Sequence, residues 1–301
     1  MKASRSVLFL SALMLATVVP AQGDKPAPKK QDPQAMLKEV MESFKKQGIK
    51  LDAKARTVTI PAVVNTPQDP VEYLLIHRRG KKHESVFITE AKPSILNAAL
   101  LMIGLQKGKN ATFVEKKPAP TLEEVQNGAD PLIVTPPKGK RFYMTARWTT
   151  PEKQVVEYCV EDLLFELSTQ EPMGRCNWIY LGGRMGQLYK GDPEVYIADL
   201  EGNLISVCYL SPDNHLGTMA HERARDDQNW WTTTKVPEPG TPVEFIFHAI
   251  EPPLHIERDK RMKAADKKAK LDAAKKEAAK KEAAKKETND AGKEESQAKA
   301  K

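Results

Sequence analysis

The segment KKHESVFITEAKPSILNAALLMIGL, from Lys81 to Leu105, decides the fold that the sequence predicts. Its first half is rich in β-branched and aromatic residues and predicts a strand from His83 to Thr89. Its second half predicts an apolar helix that begins at Pro93 and ends at Gly104, because proline suits a first helical position and glycine a helix end. We expect this strand and helix to anchor the core.

Strand patterns dominate the rest of the central region. The run Val71–His77 and the strand from His83 are joined by the charged turn RRGKK and predict a hairpin. A second hairpin is predicted from Val195–Ala198 and Leu204–Leu210, with the turn at DLEGN between them. Because strands outnumber helices and do not alternate with them, we expect an α+β fold of mostly antiparallel strands with one or two packed helices, plus a polar helical C-terminal tail.

The first 21 residues have the composition of a secretory signal. Lys2 and Arg5 precede an apolar run from Val7 to Val19, and Ala21 supplies a small residue at the expected cleavage point. The run is shorter than the roughly 20 residues that a membrane-spanning helix needs. We therefore expect a soluble exported protein, periplasmic or extracellular, with no transmembrane segment after cleavage of the signal.

Composition divides the remaining chain into three parts. Residues 22–56 are expected to form a linker and a short amphipathic helix, which Asp32 and Pro33 begin. Residues 57–253 are expected to form one domain. Residues 254–301 are a low-complexity tail rich in Lys, Ala and Glu, with the repeat AAKKEAAKKEAAKKE.

The basic character of the chain belongs to this tail. The tail has sixteen basic and ten acidic residues, an excess of six, and the whole chain has a net charge of +7. A specific nucleic-acid surface on the folded domain is therefore not predicted. The repeat favours a solvated, partly helical and otherwise disordered spacer. The alternative function for the tail is to bind anionic polymers of the cell envelope.

The trio His83-Glu84-Ser85 suggests catalysis at first sight. On a strand, neighbouring side chains point to opposite faces, so the three residues are not expected to form a relay in which each contacts the next. Ser85 also lacks the Gly-x-Ser-x-Gly setting of an exposed nucleophile. The prediction for Glu84 is a structural role, such as an ion pair with a cation.

Several segments together resemble one family. They are VTIPAVVN, VEYLLI, the segment quoted above, NWIYLGG and ADLEGNLISVCYLSPD. In this order they resemble the YdjY-domain family of exported bacterial proteins, over about Thr57 to Ile250. The resemblance implies an envelope-associated domain. A ferredoxin-like label on some members would imply iron–sulfur clusters. The chain has three cysteines and no CxxC pair, whereas a cluster takes four thiolates, so no cofactor is expected.

Few other residues suggest a site. The segment DNHLGTMAHERARDD contains His215, His221 and Asp213, which are weak candidates for a metal site because the HExxH spacing is absent. Cys159 and Cys176 are a weak candidate for a disulfide. Most of these residues have a structural alternative, as surface side chains or small buried groups.

No set of catalytic residues converges in the sequence. We therefore expect a non-catalytic binding or interaction domain at the cell envelope, whose partner is an envelope component or another protein. The alternative is a metal-dependent or hydrolytic enzyme that uses the acidic loop around His215 and His221.

Overall fold

The computed structural model of the chain describes residues 32–65, 70–174, 176–209, 212–213 and 215–298. The predicted signal at residues 1–21 and the linker up to residue 31 lie outside the described residues. The fold presented below lies within Val40–Lys301, the larger of two compact units.

The described residues form many short strands and five α-helices, the first of which begins before Val40. In chain order the strands are β1 (Lys50–Asp52), β2 (Thr57–Val64), β3 (Tyr73–His77), β4 (Ser85–Thr89), β5 (Thr112–Glu115), β6 (Leu132–Thr135), β7 (Arg141–Thr149), β8 (Val155–Cys159), β9 (Leu164–Glu166), β10 (Glu171–Pro172), β11 (Trp178–Tyr180), β12 (Met185–Gly186), β13 (Val195–Tyr196), β14 (Asn203–Ser206), β15 (Gly217–Met219), β16 (Trp230–Thr232) and β17 (Pro242–His248). The helices are α1 (Pro33–Lys46), α2 (Pro93–Met102), α3 (Leu122–Gln126), α4 (Ile197–Glu201) and α5 (Pro253–Ala298). Short 3₁₀ turns lie at Lys82–Glu84, Val160–Leu163 and Glu222–Arg225.

Eight of the strands form a closed barrel. Their order is β2, β17, β7, β11, β15, β14, β3 and β4, and β4 pairs back with β2. The closing contact pairs Val63 with Ile88 and Val64 with Phe87. β1 and β8 extend the same sheet by pairing with β2 and β7. Closure pairs the strand edges that an open sheet would leave free.

Apolar side chains fill the core of this barrel. Burial alternates along β2, as a strand with one face in a core requires. Aromatic rings from different strands meet there: Phe87 and Phe245 have ring centroids 5.6 Å apart, and Phe142 and Phe247 are 6.4 Å apart. Each buried large side chain stabilises the fold by about 1.5 to 3 kcal/mol.

The expected α+β fold class is wrong, because the sheet closes on itself and the protein is mostly β. The hairpin predicted from Val71–His77 and the strand after it is also wrong, because β3 and β4 are parallel neighbours. The chain returns from the end of β3 to the start of β4 through a tight connection. Gly80 lies in this connection, where an added Cβ would come within 2.8 Å of the carbonyl oxygen of Gly202.

The second predicted hairpin is wrong as well. Val195 and Tyr196 form β13, which pairs with β12 and not with β14. The expected turn is the helix α4, which Gly202 ends with a φ of 78°. Glycine adopts this left-handed conformation without steric cost. β14 then runs parallel to β15.

The first turns of α5 pack on the barrel, although the sequence suggested a solvated tail from Leu254. His255 and Arg258 are buried. The guanidinium of Arg258 donates to Asp162 Oδ1 at 2.8 Å and to the carbonyl of Met173 at 2.6 Å. From Lys263 to Lys276 the described side chains are exposed. Among the described residues, no helix has both the length and the apolar character needed to cross a bilayer.

This packing predicts that the domain needs the start of α5. A chain that ends at Glu251 leaves Asp162 without the guanidinium of Arg258, so we expect its free energy of unfolding to fall by at least about 3 kcal/mol. A chain that ends at Lys270 keeps these contacts and should lie within about 0.5 kcal/mol of the full chain. Urea unfolding of the three proteins tests this, and equal stability of all three would contradict it.

Candidate functional site

The trio His83-Glu84-Ser85 does not lie on one strand. His83 and Glu84 belong to a 3₁₀ turn, and β4 begins at Ser85, so the prediction of a strand from His83 is wrong. Because the turn brings neighbours together, His83 Nε2 lies 3.0 Å from Glu84 Oε1. Ser85 is buried and its hydroxyl donates to the carbonyl of Lys82 at 3.2 Å. The serine is therefore a structural group in this arrangement.

Glu84 belongs to a charged cluster with Glu72 and Lys81. Lys81 Nζ lies 3.4 Å from Glu72 Oε2 and 3.5 Å from Glu84 Oε2. Burial and the neighbouring Glu84 raise the pKa of Glu72 to about 7, and Lys81 acts in the opposite direction. The cluster joins the starts of β3 and β4, where the amide of Glu72 also donates to the carbonyl of Glu84 at 3.0 Å.

Sequence reasoning selected Glu84 but missed Glu72 and Lys81. The missing information was the parallel pairing, in which Tyr73 lies opposite Ser85 and the two preceding glutamates become neighbours. A hairpin would have placed Glu72 at the other end of β4. Pro93 and Gly104 are the other two residues for which the sequence predicted a structural role. Pro93 begins α2, and Gly104 follows the end of α2 with a φ of 83°.

His215 lies beside a cavity of about 250 Å³. The cavity is lined by Lys107, Gly108, Asn110, Leu181, Gly183, Arg184, Pro212 and His215. We call it the His215 pocket. Its lining includes two cations and a histidine, and none of these lining residues is acidic.

Hydrogen bonds and ion pairs fix the polar groups of the His215 pocket. Lys107 Nζ donates to the carbonyl of Gly183 at 3.2 Å. His215 Nε2 lies 2.6 Å from Glu201 Oε2, and Arg184 Nη2 lies 3.7 Å from Glu201 Oε1. Burial lowers the pKa of His215, against the opposing effect of Glu201.

Comparison with known protein families identifies the barrel domain. The model of the YdjY domain matches residues 49–248, about two thirds of the chain. The chain belongs to the YdjY-domain family. No curated protein and no solved structure matches it.

The YdjY domain keeps the two candidate histidines in different surroundings. His221 Nδ1 accepts from the amide of Arg223 at 3.2 Å, and its ring contacts the edge of Trp230 at a centroid distance of 5.6 Å. His215 instead pairs with Glu201. Among the described residues, no group of three metal-ligating side chains includes His215, His221 or Asp213. The predicted metal site at this loop therefore has no geometric support.

The cysteines of the YdjY domain are buried free thiols at positions 159, 176 and 208. The thiol of Cys176 lies 3.9 Å from Glu161 Oε1. The sulfur of Cys159 also lies within 4.8 Å of a carboxylate oxygen of Glu161. The disulfide between Cys159 and Cys176 stays a prediction.

The raised pKa of Glu72 predicts how stability depends on pH. An unfolded glutamate ionises near pH 4.5, but Glu72 in the folded protein ionises near pH 7, so folding stability is lost as pH rises through this window. Glu72→Gln removes this loss. We expect the variant to gain about 1 kcal/mol relative to the native protein between pH 5 and pH 8, after allowance for solvent screening.

Urea unfolding at pH 5, 6, 7 and 8 measures this difference. Glu115→Gln, in an exposed position on β5, is the matched control and should show no such trend. A stability difference between Glu72→Gln and the native protein that is constant over this pH range would contradict the prediction.

Proposed function

We propose that this chain is an exported YdjY-domain protein that binds a small anionic group of a cell-envelope ligand in the His215 pocket, without catalysing a reaction. The observation that carries the proposal is the composition of the pocket lining, which has the cations Lys107 and Arg184 and no acidic residue. Charged donors around a small cavity favour a carboxylate, sulfate or phosphate group.

The neighbouring groups support this proposal. Glu201 contacts His215 and Arg184 and neutralises part of the charge of Arg184, while Lys107 donates to the carbonyl of Gly183 and forms no ion pair with the described residues. His215 Nδ1 is buried and has no hydrogen-bond partner among the described residues. With the proton of His215 on Nε2, toward Glu201, Nδ1 is an acceptor that a water molecule completes, so the anion is bound by the two cations and not by this atom.

The size of the pocket limits the ligand. A volume of about 250 Å³ is smaller than the roughly 300 to 1,000 Å³ of sites for drug-sized molecules. The pocket therefore suits a small anion or the anionic end of a larger molecule. This size supports recognition of an end group and not enclosure of a whole polymer.

The proposed location follows from the sequence at both ends. Residues 1–21 have the pattern of a secretory signal, which supports export to the periplasm or beyond the cell. The exposed part of α5 has many lysines, which would attract anionic polymers of the envelope at low salt. We propose that this tail increases the local concentration of the barrel near such polymers.

The enzymatic alternative has less support. It requires His215 and His221 to act together with carboxylates, but His221 packs on Trp230 while His215 pairs with Glu201. General acid–base catalysis needs its groups within hydrogen-bond reach of one reacting position. The binding function requires only the side chains that line the His215 pocket.

Isothermal titration of the full-length chain with phosphate, sulfate, acetate and formate at low ionic strength tests the binding function. We expect at least one of these anions to bind, and we expect the double variant Lys107→Gln with Arg184→Gln to bind it at least tenfold more weakly. Each charge-assisted hydrogen bond contributes about 1.5 to 3 kcal/mol, and 1.4 kcal/mol corresponds to a factor of ten.

The control has the same change in net charge at another place. Lys116→Gln with Lys140→Gln removes two positive charges from residues that do not line the His215 pocket. This control should bind the anion as the native protein does. Equal weakening in both double variants would indicate a general charge effect, and no binding of any of the four anions by the native protein would contradict the proposal.

A further inference from the structure

A second cluster of polar side chains lies where α5 meets the barrel. Cys159 ends β8, Glu161 follows in a 3₁₀ turn, and His255 lies in the first turn of α5. One potential ligand atom from each of these residues lies within 4.8 Å of the other two, and all three residues are buried. Among the described residues this is the one group of three metal-ligating side chains.

Two atoms of this cluster lack hydrogen bonds. Glu161 Oε2 and His255 Nδ1 are buried and have no partner among the described residues. The nearest approach between the two side chains is 3.7 Å, from His255 Nε2 to Glu161 Oε2, which is too long for a hydrogen bond. A fully buried carboxylate oxygen without a partner is costly, so the arrangement requires another group.

The surroundings of the cluster resemble the outer contacts of a metal site. His255 Nε2 lies 3.7 Å from Glu161 Oε2 and 3.2 Å from the carbonyl of Met144, so Nε2 is the ring nitrogen that approaches the carboxylate. Glu161 Oε1 accepts from Trp178 Nε1 at 3.1 Å, which leaves Oε2 available. Metal-binding carboxylates are commonly oriented by such a contact through their other oxygen.

We propose that Cys159, Glu161 and His255 bind one Zn²⁺ ion that fastens α5 to the barrel. Zn²⁺ takes thiolate, carboxylate and imidazole ligands together, and one thiolate with one carboxylate balances its charge. Cys176, whose sulfur lies 3.9 Å from Glu161 Oε1, is the nearest candidate for a fourth ligand. Complete burial fits a closed structural site, which is separate from the anion-binding His215 pocket.

Metal analysis of the untagged full-length chain, produced in zinc-supplemented medium, tests the site. We expect about one zinc per chain in the native protein and in Cys208→Ala, which removes a buried thiol outside the cluster. Cys159→Ser and His255→Gln should each lose most of the zinc, and Glu161→Gln should weaken its retention. Native protein without zinc under these conditions would overturn the proposal.

Thermal unfolding of the native protein gives a second measurement, which tests the site even where a ligand variant does not fold. Removal of zinc with a chelator should lower the Tm of the native protein and of Cys208→Ala, and added zinc should restore it. Cys159→Ser, where it folds, should have a Tm that responds to neither treatment. If the native Tm is also indifferent to chelator and zinc, the cluster is a metal-free polar contact and the proposal is wrong.

Cobalt identifies the ligands directly. The native chain refolded with Co²⁺ should show a thiolate-to-cobalt charge-transfer band, which Cys208→Ala retains and the double variant Cys159→Ser with Cys176→Ser loses. Titration with phosphate separates this proposal from the anion site, because Cys159→Ser that folds without metal should keep the phosphate affinity of the native chain. A cobalt band that survives in the double variant Cys159→Ser with Cys176→Ser would place the metal elsewhere and overturn the assignment.

Discussion

The barrel depends on the way in which β2 shares one of its edges between two strands. β1 pairs with residues 57–59 of β2, and β4 pairs with Val63 and Val64, so Pro61 lies in the gap between them. The hydroxyl of Thr89 donates to the carbonyl of Pro61 at 2.7 Å, which places this oxygen on the shared edge. The nitrogen of a strand residue points to the same side as its carbonyl, so the missing N–H of Pro61 costs no ladder hydrogen bond.

The closure of the barrel at β2 determines which side chains of the remaining strands become neighbours. Since β4 must reach β2 while it lies parallel to β3, the chain returns beside β3 and places Lys81 between Glu72 and Glu84. The parallel pair β14–β15 has a similar effect, because the chain between them leads to His215 just before β15. His215 therefore reaches Glu201 at the end of α4. Both clusters thus depend on parallel pairs within a mostly antiparallel barrel.

Local sequence patterns predicted the strands and helices better than they predicted which strands pair and in which direction. The sequence indicated the strand VEYLLIH and the helix from Pro93 because both have regular apolar spacing. It also indicated the YdjY-domain family, which the match over residues 49–248 confirms. Pairing direction was not predictable in the same way, since a short charged connection such as RRGKK is compatible with a hairpin and with a parallel return.

The contact of α5 with the barrel could not be predicted from the composition of the chain. His255 and Arg258 look like the first residues of a charged tail, but both are buried. Arg258 has a matched partner in Asp162, whereas Glu161 Oε2 has none among the described residues. Paired charges keep the helix in place at little net cost, but an unmatched buried carboxylate opposes folding unless a cation joins it. The same few side chains that extend the fold beyond the barrel therefore place one buried carboxylate oxygen without a hydrogen bond near the charge of Arg258, which acts on Glu161 but donates to Asp162.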